Sequence, residues 1–363
     1  MRCRFGFPEM PPPRLSVILP NYNHARLLPR ALEALAAQNR PADEILLLDD
    51  ASTDDSLEVA ASWQVRLPQL RIIAKDRNAG VVATLRLGLA EATGDYVYLG
   101  AADDETRPAL FERTLAALES FPTAALATGE VLLIGPDGRP AGLRPVILPS
   151  QTEAFLDPAA TAALLRHSDH LVVAVGAVWR RASMLASGGI DPTLGSMVDA
   201  FLARELALRH GFVFIPEVLG IWHVNPAGYS RSAAANTQTT LAMIGNARAL
   251  MEQRVGTPYP SWYPAVFERR SRFAVARLMV VEPAGGRPKP TQLVAIAGGS
   301  ILDRAAFVMA GLLPGNLGRI AALGWLTLRL RPISLVAILA SRFNRWHRPR
   351  GIAVTVRRVP VSQ

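Results

Sequence analysis

Short apolar runs and longer helical patterns alternate along the first third of the chain. The apolar runs predict β-strands at residues 15–19, 44–48, 71–74 and 96–100. Between these runs, leucine and alanine recur at the spacing of a helix that buries one face. Strands that alternate with helices of about 10 to 15 residues indicate βαβ units. We therefore predict an α/β fold with a mostly parallel sheet that is flanked by helices.

The regular alternation stops after residue 124. Predicted elements there are strands at 131–134 and 172–179, a long loop at 143–157, a helix at 197–210, and extended segments at 212–215 and 219–223. Beyond about residue 232 the pattern is helical, with a Pro/Gly-rich linker at 282–290. The predicted organisation is a flexible tail (1–13), an α/β domain (14–232, in halves 14–123 and 124–232) and a mainly helical, Arg-rich extension (233–363).

Composition and charge distinguish the extension from the rest of the chain. Half of the 363 residues are hydrophobic and 19% are charged, which excludes a disordered or collagen-like chain. The net charge is +9, but ten arginines and no acidic residue follow Asp303. Without those arginines the remainder carries a net charge of about −1. The basic charge therefore says nothing about the partner of the α/β domain.

The cysteine content and the apolar stretches indicate the cellular compartment of the protein. The single cysteine, Cys3, excludes an internal disulfide framework and fits a reducing environment. The N-terminal stretch lacks the central apolar region of a secretory signal, so we expect a cytoplasmic protein. The best candidate for a membrane span, residues 317–341, contains three arginines. Since each arginine would cost about 2.5 to 3.5 kcal/mol at the centre of a bilayer, we expect no span there.

Two carboxylates, Asp103 and Asp104, follow the fourth predicted strand. Hard cations such as Mg²⁺ and Mn²⁺ bind carboxylate oxygens together with substrate phosphates. Successive side chains on extended backbone point to opposite sides, so one aspartate would face a metal and the other a ribose or the protein. The other interpretation is a solvated acidic turn before the next helix, where the helix dipole favours negative charge.

Asp49 and Asp50 end the second predicted strand, at the same sheet edge as Asn21 to Asn23 and Asp103. Ligands of parallel α/β sheets bind beyond the carboxyl ends of the strands, where a carboxylate can accept hydrogen bonds from a base or ribose. The alternative is local: Ser52 or Thr53 caps the following helix, and the aspartates lie near its first turn.

Isolated polar residues add weaker candidates. Asn78 and Gly80 precede a helix whose free N–H groups could face a phosphate, or they form only a turn. Asp199 lies in a predicted helix, where an aspartate is commonly just solvated. His223 lies in an extended segment, where a histidine is commonly structural.

Several motifs occur together in one order along residues 14–230. They are SVILPNYN (16–23), EILLLDDASTD (44–54), RNAG (77–80), GDYVYLGAADD (94–104), GAVWRR (176–181) and GGID (188–191). In this order and spacing the chain resembles the family 2 glycosyltransferases, which have a GT-A fold. The resemblance implies that Pro20, Tyr22, Asp49 and Asp50 line the base and ribose of a nucleotide, and that Arg77 reaches the nucleotide.

The same resemblance implies roles for the later polar residues. Asp103 resembles the metal-ligating aspartate of the family's DxD motif, with Asp104 beside it at the donor. Ala101 stands where the first aspartate of that motif normally lies. Asp199 resembles the catalytic base, and His223 resembles a late histidine that approaches the metal or the diphosphate.

These residue types suit one inverting displacement at an anomeric carbon. A carboxylate accepts the proton of an acceptor hydroxyl, and a divalent cation, Mn²⁺ or Mg²⁺, stabilises the departing diphosphate. The predicted function is therefore transfer from a nucleotide-sugar donor to a hydroxyl of a glycan or lipid-linked acceptor, in assembly of bacterial surface polysaccharide. The alternative is a catalytically silent nucleotide-binding or scaffold protein, which Ala101 favours.

The basic extension permits two interpretations. Arginines interleaved with Trp325, Phe343 and Trp346 suit a segment on an anionic membrane surface. That placement would make the protein peripheral on the inner face of the membrane, or a membrane-recruited module in which the tail is the function. A helical appendage that packs on the α/β domain, with solvated arginines, is the other interpretation. No nucleic-acid-binding motif accompanies the charge, so we expect no nucleic-acid partner.

Overall fold

Parallel β-strands and intervening helices form the first half of the molecule. The structure is a computed structural model that describes residues 12–225, 236–281, 288–331 and 335–346. The predicted flexible tail and linker fall mostly outside these residues. The first elements are β1 (Leu15–Asn21), α1 (Leu28–Ala36), β2 (Glu44–Asp49), α2 (Ser56–Trp63), β3 (Leu70–Ala74), α3 (Val81–Glu91) and β4 (Tyr96–Leu99). These strands and helices confirm the predicted βαβ pattern.

Shorter and less regular elements follow in the second half. They are β5 (Glu105–Thr106), α4 (Leu110–Ser120), β6 (Leu126–Ile134), β7 (Pro140–Arg144), β8 (Ala154–Leu156), α5 (Pro158–Leu165), β9 (Ala177–Arg180), α6 (Arg181–Ala186), α7 (Val198–His210) and β10 (Phe212–His223). The extension contains α8 (Thr237–Gln253), α9 (Tyr263–Val281), α10 (Pro290–Ala297), α11 (Ile301–Leu312), α12 (Gly315–Leu330) and α13 (Leu335–Trp346).

One mixed sheet runs through both halves. Its order is β3-β2-β1-β4-β9-β6-β10-β5, with β7 beside β6 and β8 beside β10. The four strands β1 to β4 are parallel, as predicted, whereas β9 is antiparallel to both β4 and β6. A βαβ crossover forces parallel neighbours, but β9 follows a long irregular connection that leaves its direction to the tertiary structure.

Two predictions for the second half are wrong in detail. The predicted loop at 143–157 contains the end of β7 and the whole of β8, which pairs with β10 at Phe212 to Phe214. A three-residue edge strand is too short to show an alternating pattern. The two extended segments predicted after Gly211 are one strand, β10, with irregular pairing between Ile215 and Gly220. Pro216 lies in that irregular stretch, where proline is tolerated within a strand.

The core lies on both faces of the sheet. Along β1, Val17 belongs to one apolar cluster and Ile18 to the other, because successive strand residues point to opposite faces. Helices α1, α2 and α4 cover the first cluster, and α3 and α7 cover the second. Side chains of the extension, including Phe267 and Leu326, continue the second cluster. The extension therefore packs on the α/β domain, as the appendage interpretation expected.

The last described helix is held against the sheet by polar contacts. Arg345 on α13 donates from Nε to Glu130 Oε2 at 2.8 Å and from Nη1 to the Val146 carbonyl at 2.8 Å, and it also contacts the Pro145 carbonyl. Ser341 Oγ accepts a hydrogen bond from the Leu148 backbone N–H at 2.7 Å. Glu130 is almost wholly buried, so α13 supplies the cation of a buried ion pair.

Replacing Arg345 with methionine is expected to destabilise the protein by about 3 kcal/mol, because the buried Glu130 carboxylate loses the guanidinium of Arg345. Denaturant unfolding measures the change. The matched control is Arg342→Met, an exposed arginine on the same helix, which should change stability by less than about 0.5 kcal/mol. Equal losses in both variants would show that helix content, rather than the Glu130 pair, determines the effect.

The sequence predicts that residues 317–341 do not span a membrane. Among the helices that the structure describes, none combines the length and the hydropathy needed to cross a bilayer.

Candidate active site

The loops after β1 and β2 are joined at the carboxyl edge of the sheet. Asn21 and Asp49 are register partners, and Asn21 Nδ2 donates to Asp49 Oδ2 at 2.8 Å. Ser52 donates from its hydroxyl to Asp49 Oδ2 at 2.6 Å and from its backbone N–H to Asp49 Oδ1 at 2.8 Å. The Asp49 carboxylate is fully buried, and its hydrogen bonds to Asn21 and Ser52 hold the two loops together. Tyr22, on the first of these loops, is 43% exposed.

The predicted cap of α2 is wrong. The helix begins at Ser56, and no side chain caps it. Ser52 lies four residues earlier and donates to Asp49 instead, while the Thr53 backbone N–H donates to Asn23 Oδ1. A serine that follows a strand can cap the next helix or bond the residue at the end of the strand. The local sequence is the same in both cases, so it does not distinguish them.

Asp50 joins the end of β2 to the loop before α3. Its carboxylate accepts hydrogen bonds from Lys75 Nζ at 2.5 Å and from the backbone N–H groups of Ala79 and Gly80 at 2.9 and 2.8 Å. Burial acts to raise the pKa of Asp50, but Lys75 and the two N–H groups outweigh it and hold the pKa below its ordinary value. The ion pair therefore fixes the loop from which Arg77 extends into solvent.

The third loop brings an acidic triplet to His223. Strand β5 pairs antiparallel with β10, which places the end of β10 beside the Asp103–Glu105 loop. The backbone N–H of His223 donates to Asp104 Oδ1 at 3.0 Å, and His223 Nε2 lies 3.1 Å from Glu105 Oε2. The structure thus brings His223 to the DxD-like loop across more than a hundred residues of sequence.

The carboxyls of this loop have different electrostatic environments. Burial, reinforced by the adjacent negative charge of Asp103, raises the pKa of Asp104 well above its ordinary value. The hydrogen bond from His223 lowers the pKa of Glu105. Arg30 of α1 donates from Nη2 to the Asp103 carbonyl at 2.5 Å, and its charge favours ionisation of both other carboxyls. Arg30 therefore both shapes and partly neutralises the loop.

These side chains fit a divalent ion that takes most of its ligands from substrate and water. Within the described ranges, no group of three or more histidine, cysteine, aspartate or glutamate side chains is placed to hold a metal. Asp104 and His223 are engaged with each other and with Glu105. The half-buried Asp103 supplies the hard oxygen donors that Mg²⁺ and Mn²⁺ prefer, and one carboxylate plus phosphates is a common arrangement. His223 as a metal ligand stays a prediction.

Asp199 lies in the first turn of α7, on a separate element. The preceding helical turn is capped by Asp191, whose carboxylate accepts from the Thr193 backbone N–H at 2.9 Å. Burial raises the pKa of Asp199, and the Ala200 backbone N–H and the charge of Arg204 oppose it in part. Between described residues, no hydrogen bond or ion pair joins Asp199 to the Asp103 loop.

The sequence reasoning missed Lys75 and Arg30, and it placed Glu105 at the sheet edge without giving it a role. Glu105 directly follows Asp104, so an acidic triplet was visible in the sequence. Arg30 contacts Asp103, 73 residues away, and Lys75 contacts Asp50, 25 residues away. No local sequence pattern predicts such contacts.

Comparisons with known proteins identify the class of domain. Residues 16–182 match the family model "Glycosyl transferase family 2". The uncharacterized glycosyltransferase YibD of Escherichia coli is 37% identical over 99 residues, which are 27% of this chain and 28% of that protein. The putative glycosyltransferase EpsE of Bacillus subtilis is 34% identical over 108 residues, which are 30% and 39% of the two chains. The chain thus spans less than half the length of these curated relatives.

Two solved structures share the fold along nearly the whole chain. TarS 1–349 of S. aureus, in complex with UDP-GlcNAc, aligns with a TM-score of 0.61 at 15% identity and covers 92% of this chain and 93% of its own. The mannosyltransferase PcManGT of Pyrobaculum calidifontis, in complex with GDP-Man and Mn²⁺, aligns with a TM-score of 0.52 at 20% identity and covers 92% and 87%. The fold is therefore the GT-A fold of glycosyltransferases, followed by a helical extension.

The match of residues 16–182 to the family 2 glycosyltransferase model confirms the resemblance found in the motifs. The matched segment contains Asp49, Asp50 and Asp103, while Asp199 and His223 lie beyond it.

Proposed function

We propose that the protein is a glycosyltransferase that moves a sugar from a nucleotide-sugar donor to a hydroxyl of a glycan or lipid-linked acceptor. The observation that carries this proposal is the assembly of the β1, β2 and β4 loops at the carboxyl edge of a family 2 domain. Ligands of such sheets bind at this edge. The structural neighbours were solved with UDP-GlcNAc and GDP-Man, which supports a donor of the same chemical class.

For the donor, Pro20 and Tyr22 flank the base, and Asp49 and Asp50 hold the loops that surround it. This assignment is supported by the hydrogen bonds that commit both carboxylates to those loops. Arg77 extends from the loop that Asp50 fixes and reaches the nucleotide phosphates. A guanidinium suits that task because it stays charged and donates several hydrogen bonds.

The diphosphate end of the donor is assigned to Asp103, Asp104 and His223. Asp103 would hold a divalent ion, Mn²⁺ or Mg²⁺, and the ion when bound supplies positive charge to the departing diphosphate. Asp104 faces the ribose, and His223 lies beside Asp104 and Glu105. Arg30 orients the loop through the Asp103 carbonyl.

The reaction is a single displacement with inversion. The acceptor hydroxyl attacks the anomeric carbon, and Asp199 accepts the proton of that hydroxyl. A bond forms between the acceptor oxygen and the carbon, while the bond to the diphosphate breaks and its electron pair leaves with the diphosphate. The raised pKa of Asp199 supports the role, since a stronger base accepts a proton more readily near neutral pH.

The pathway and place of the enzyme are also proposals. We propose assembly of bacterial surface polysaccharide as the pathway, because its acceptors present sugar hydroxyls. Peripheral association with the cytoplasmic face of an anionic membrane is supported by the ten arginines after Asp303.

Titration calorimetry tests the donor site. Wild-type protein is titrated with UDP, GDP, dTDP and CDP, each with and without Mn²⁺. We expect one nucleotide to bind more tightly than the others, and Mn²⁺ to strengthen that binding. Absence of binding to all four nucleotides would contradict the donor site.

Ala101 favours one alternative, a silent nucleotide-binding protein with this fold. It places a methyl group where the family motif has its first carboxylate. In that case one nucleotide would bind as above, but no donor in a panel of nucleotide sugars would be consumed.

A further inference from the structure

Helices α11 and α12 form a hairpin whose end is apolar and exposed. The helices pack on each other and are joined by the two residues Leu313 and Pro314. Leu312 is 74% exposed, and Leu317 and Ile320 are 59% and 64% exposed. All of these residues lie within about two helical turns of the link, so they come together at one end of the hairpin. We call this end the hairpin tip, residues 309–320.

The exposed side of the hairpin is apolar beyond the tip as well. Phe307 on α11 and Leu326 on α12 are buried against the extension's core. On the opposite side, Ile301 and Leu302 of α11 and Leu328 of α12 are largely exposed. Surface helices ordinarily carry polar residues on the side away from the core. Exposed apolar side chains in this number on two packed helices indicate an interaction site.

The charges around this surface are positive. Arg304, Arg319 and Arg331 are exposed. The single carboxylate of the two helices, Asp303, is fully buried, where it accepts hydrogen bonds from Ser300 and the Trp325 indole. Within residues 301–331, therefore, the surface offers exposed arginines and no exposed carboxylate.

We propose that the hairpin tip docks on an anionic lipid bilayer. The leucine and isoleucine side chains of the tip enter the interfacial region, and Arg319 within the tip faces lipid phosphates, with Arg304 further along the exposed side of α11. Such a surface combines buried apolar area with electrostatic attraction, which are the two terms of interfacial binding. Long arginine side chains can keep their charge at the headgroups while their stems cover apolar surface.

The charges favour a bilayer over a second copy of the chain. In a two-fold dimer the same patch meets itself, so the arginines of one hairpin would face those of the other. The described part of the hairpin offers no exposed carboxylate to pair with them. A negative surface removes this repulsion.

This inference rests on the proposed function in one respect only, since it specifies the membrane association proposed above. Vesicle binding needs neither donor nor acceptor. A negative vesicle result would therefore leave the transferase proposal standing, and a negative donor result would leave the hairpin proposal standing.

The test is co-sedimentation of the full chain with vesicles of equimolar phosphatidylglycerol and phosphatidylcholine, and with vesicles of phosphatidylcholine alone. We expect binding to the anionic vesicles. The double variant Leu312→Gln/Leu317→Gln should weaken it by about tenfold or more, because apolar burial at the tip is lost. Arg319→Gln should weaken it about fivefold. The matched control is Val65→Gln, since Val65 is 91% exposed in the turn after α2, and it should bind like wild type.

Thermal melting checks that the variants fold, and we expect wild-type stability because the substituted side chains are in solvent. Tip variants that bind anionic vesicles like wild type would overturn the proposal. Equal binding of wild type to both vesicle types would overturn its electrostatic part. A dimer in sedimentation velocity that the tip variants abolish, without vesicle binding by wild type, would assign the surface to a second copy instead.

Discussion

Asp199→Asn is expected to lower turnover by about a hundredfold to ten-thousandfold, which is the usual contribution of a positioned general base. The amide has nearly the shape of the carboxylate but cannot accept the proton of the acceptor hydroxyl. Nucleotide affinity should not change, since Asp199 has no hydrogen bond or ion pair with the described donor loops. Release of nucleoside diphosphate measures turnover, and calorimetry measures affinity on the same preparation.

The matched control is Asp137→Asn, an exposed aspartate in the turn between β6 and β7, which should behave like wild type. Asp199→Asn with wild-type turnover would mean that another group takes the proton. A parallel loss of nucleotide affinity would mean that Asp199 supports the donor site instead.

The pH dependence gives the same prediction a second readout. Because burial raises the pKa of Asp199, its carboxyl keeps a proton to a higher pH than the ordinary value of 3.8. The base form is present above the raised pKa and is lost as the pH falls through it. Wild-type kcat should therefore decline on the acid side with a midpoint above 3.8, and this decline should be absent from the residual activity of Asp199→Asn.

Asp103→Asn is expected to remove at least about a hundredfold of the affinity for the nucleoside diphosphate in the presence of Mn²⁺. Groups that merely orient a metal ligand contribute about 10- to 100-fold to metal affinity, so a ligand itself should contribute no less. Affinity without Mn²⁺ should change little. The measurement is calorimetry with and without the metal, on wild type, Asp103→Asn and Asp137→Asn. An equal loss with and without Mn²⁺ would mean that Asp103 contacts the nucleotide directly.

The first half of the α/β domain, residues 14–123, could be predicted because its signals are local. Each strand from β1 to β4 is a short apolar run, each is followed by a polar loop, and each neighbouring helix shows its own spacing. Parallel strands then bring the loops to one edge by topology alone. The second half could not be predicted as well, because β8 and β9 take their places from partners distant in sequence.

For the site, the sequence indicated which carboxylates reach the edge but not which are free there. Asp49 and Asp103 both follow buried strands, and they look alike in the sequence. In the structure Asp49 is fully buried and bonded to Asn21 and Ser52, whereas the half-buried Asp103 uses its carbonyl to accept from Arg30. The hydrogen-bond partners of a side chain depend on how distant segments pack. That packing produces no periodic pattern in the sequence.

The sequence by itself determined the α/β class, the family resemblance, the order of the edge loops and the basic character of the extension. Only the tertiary structure decided the mixed direction of the sheet, the ion pair of Asp50 with Lys75, and the exposure of the hairpin tip. The pattern of α11 is apolar on several sides, so periodicity alone cannot say which side meets the core. Burial is a property of the packed assembly of helices, whereas helix formation and charge are properties of the local chain.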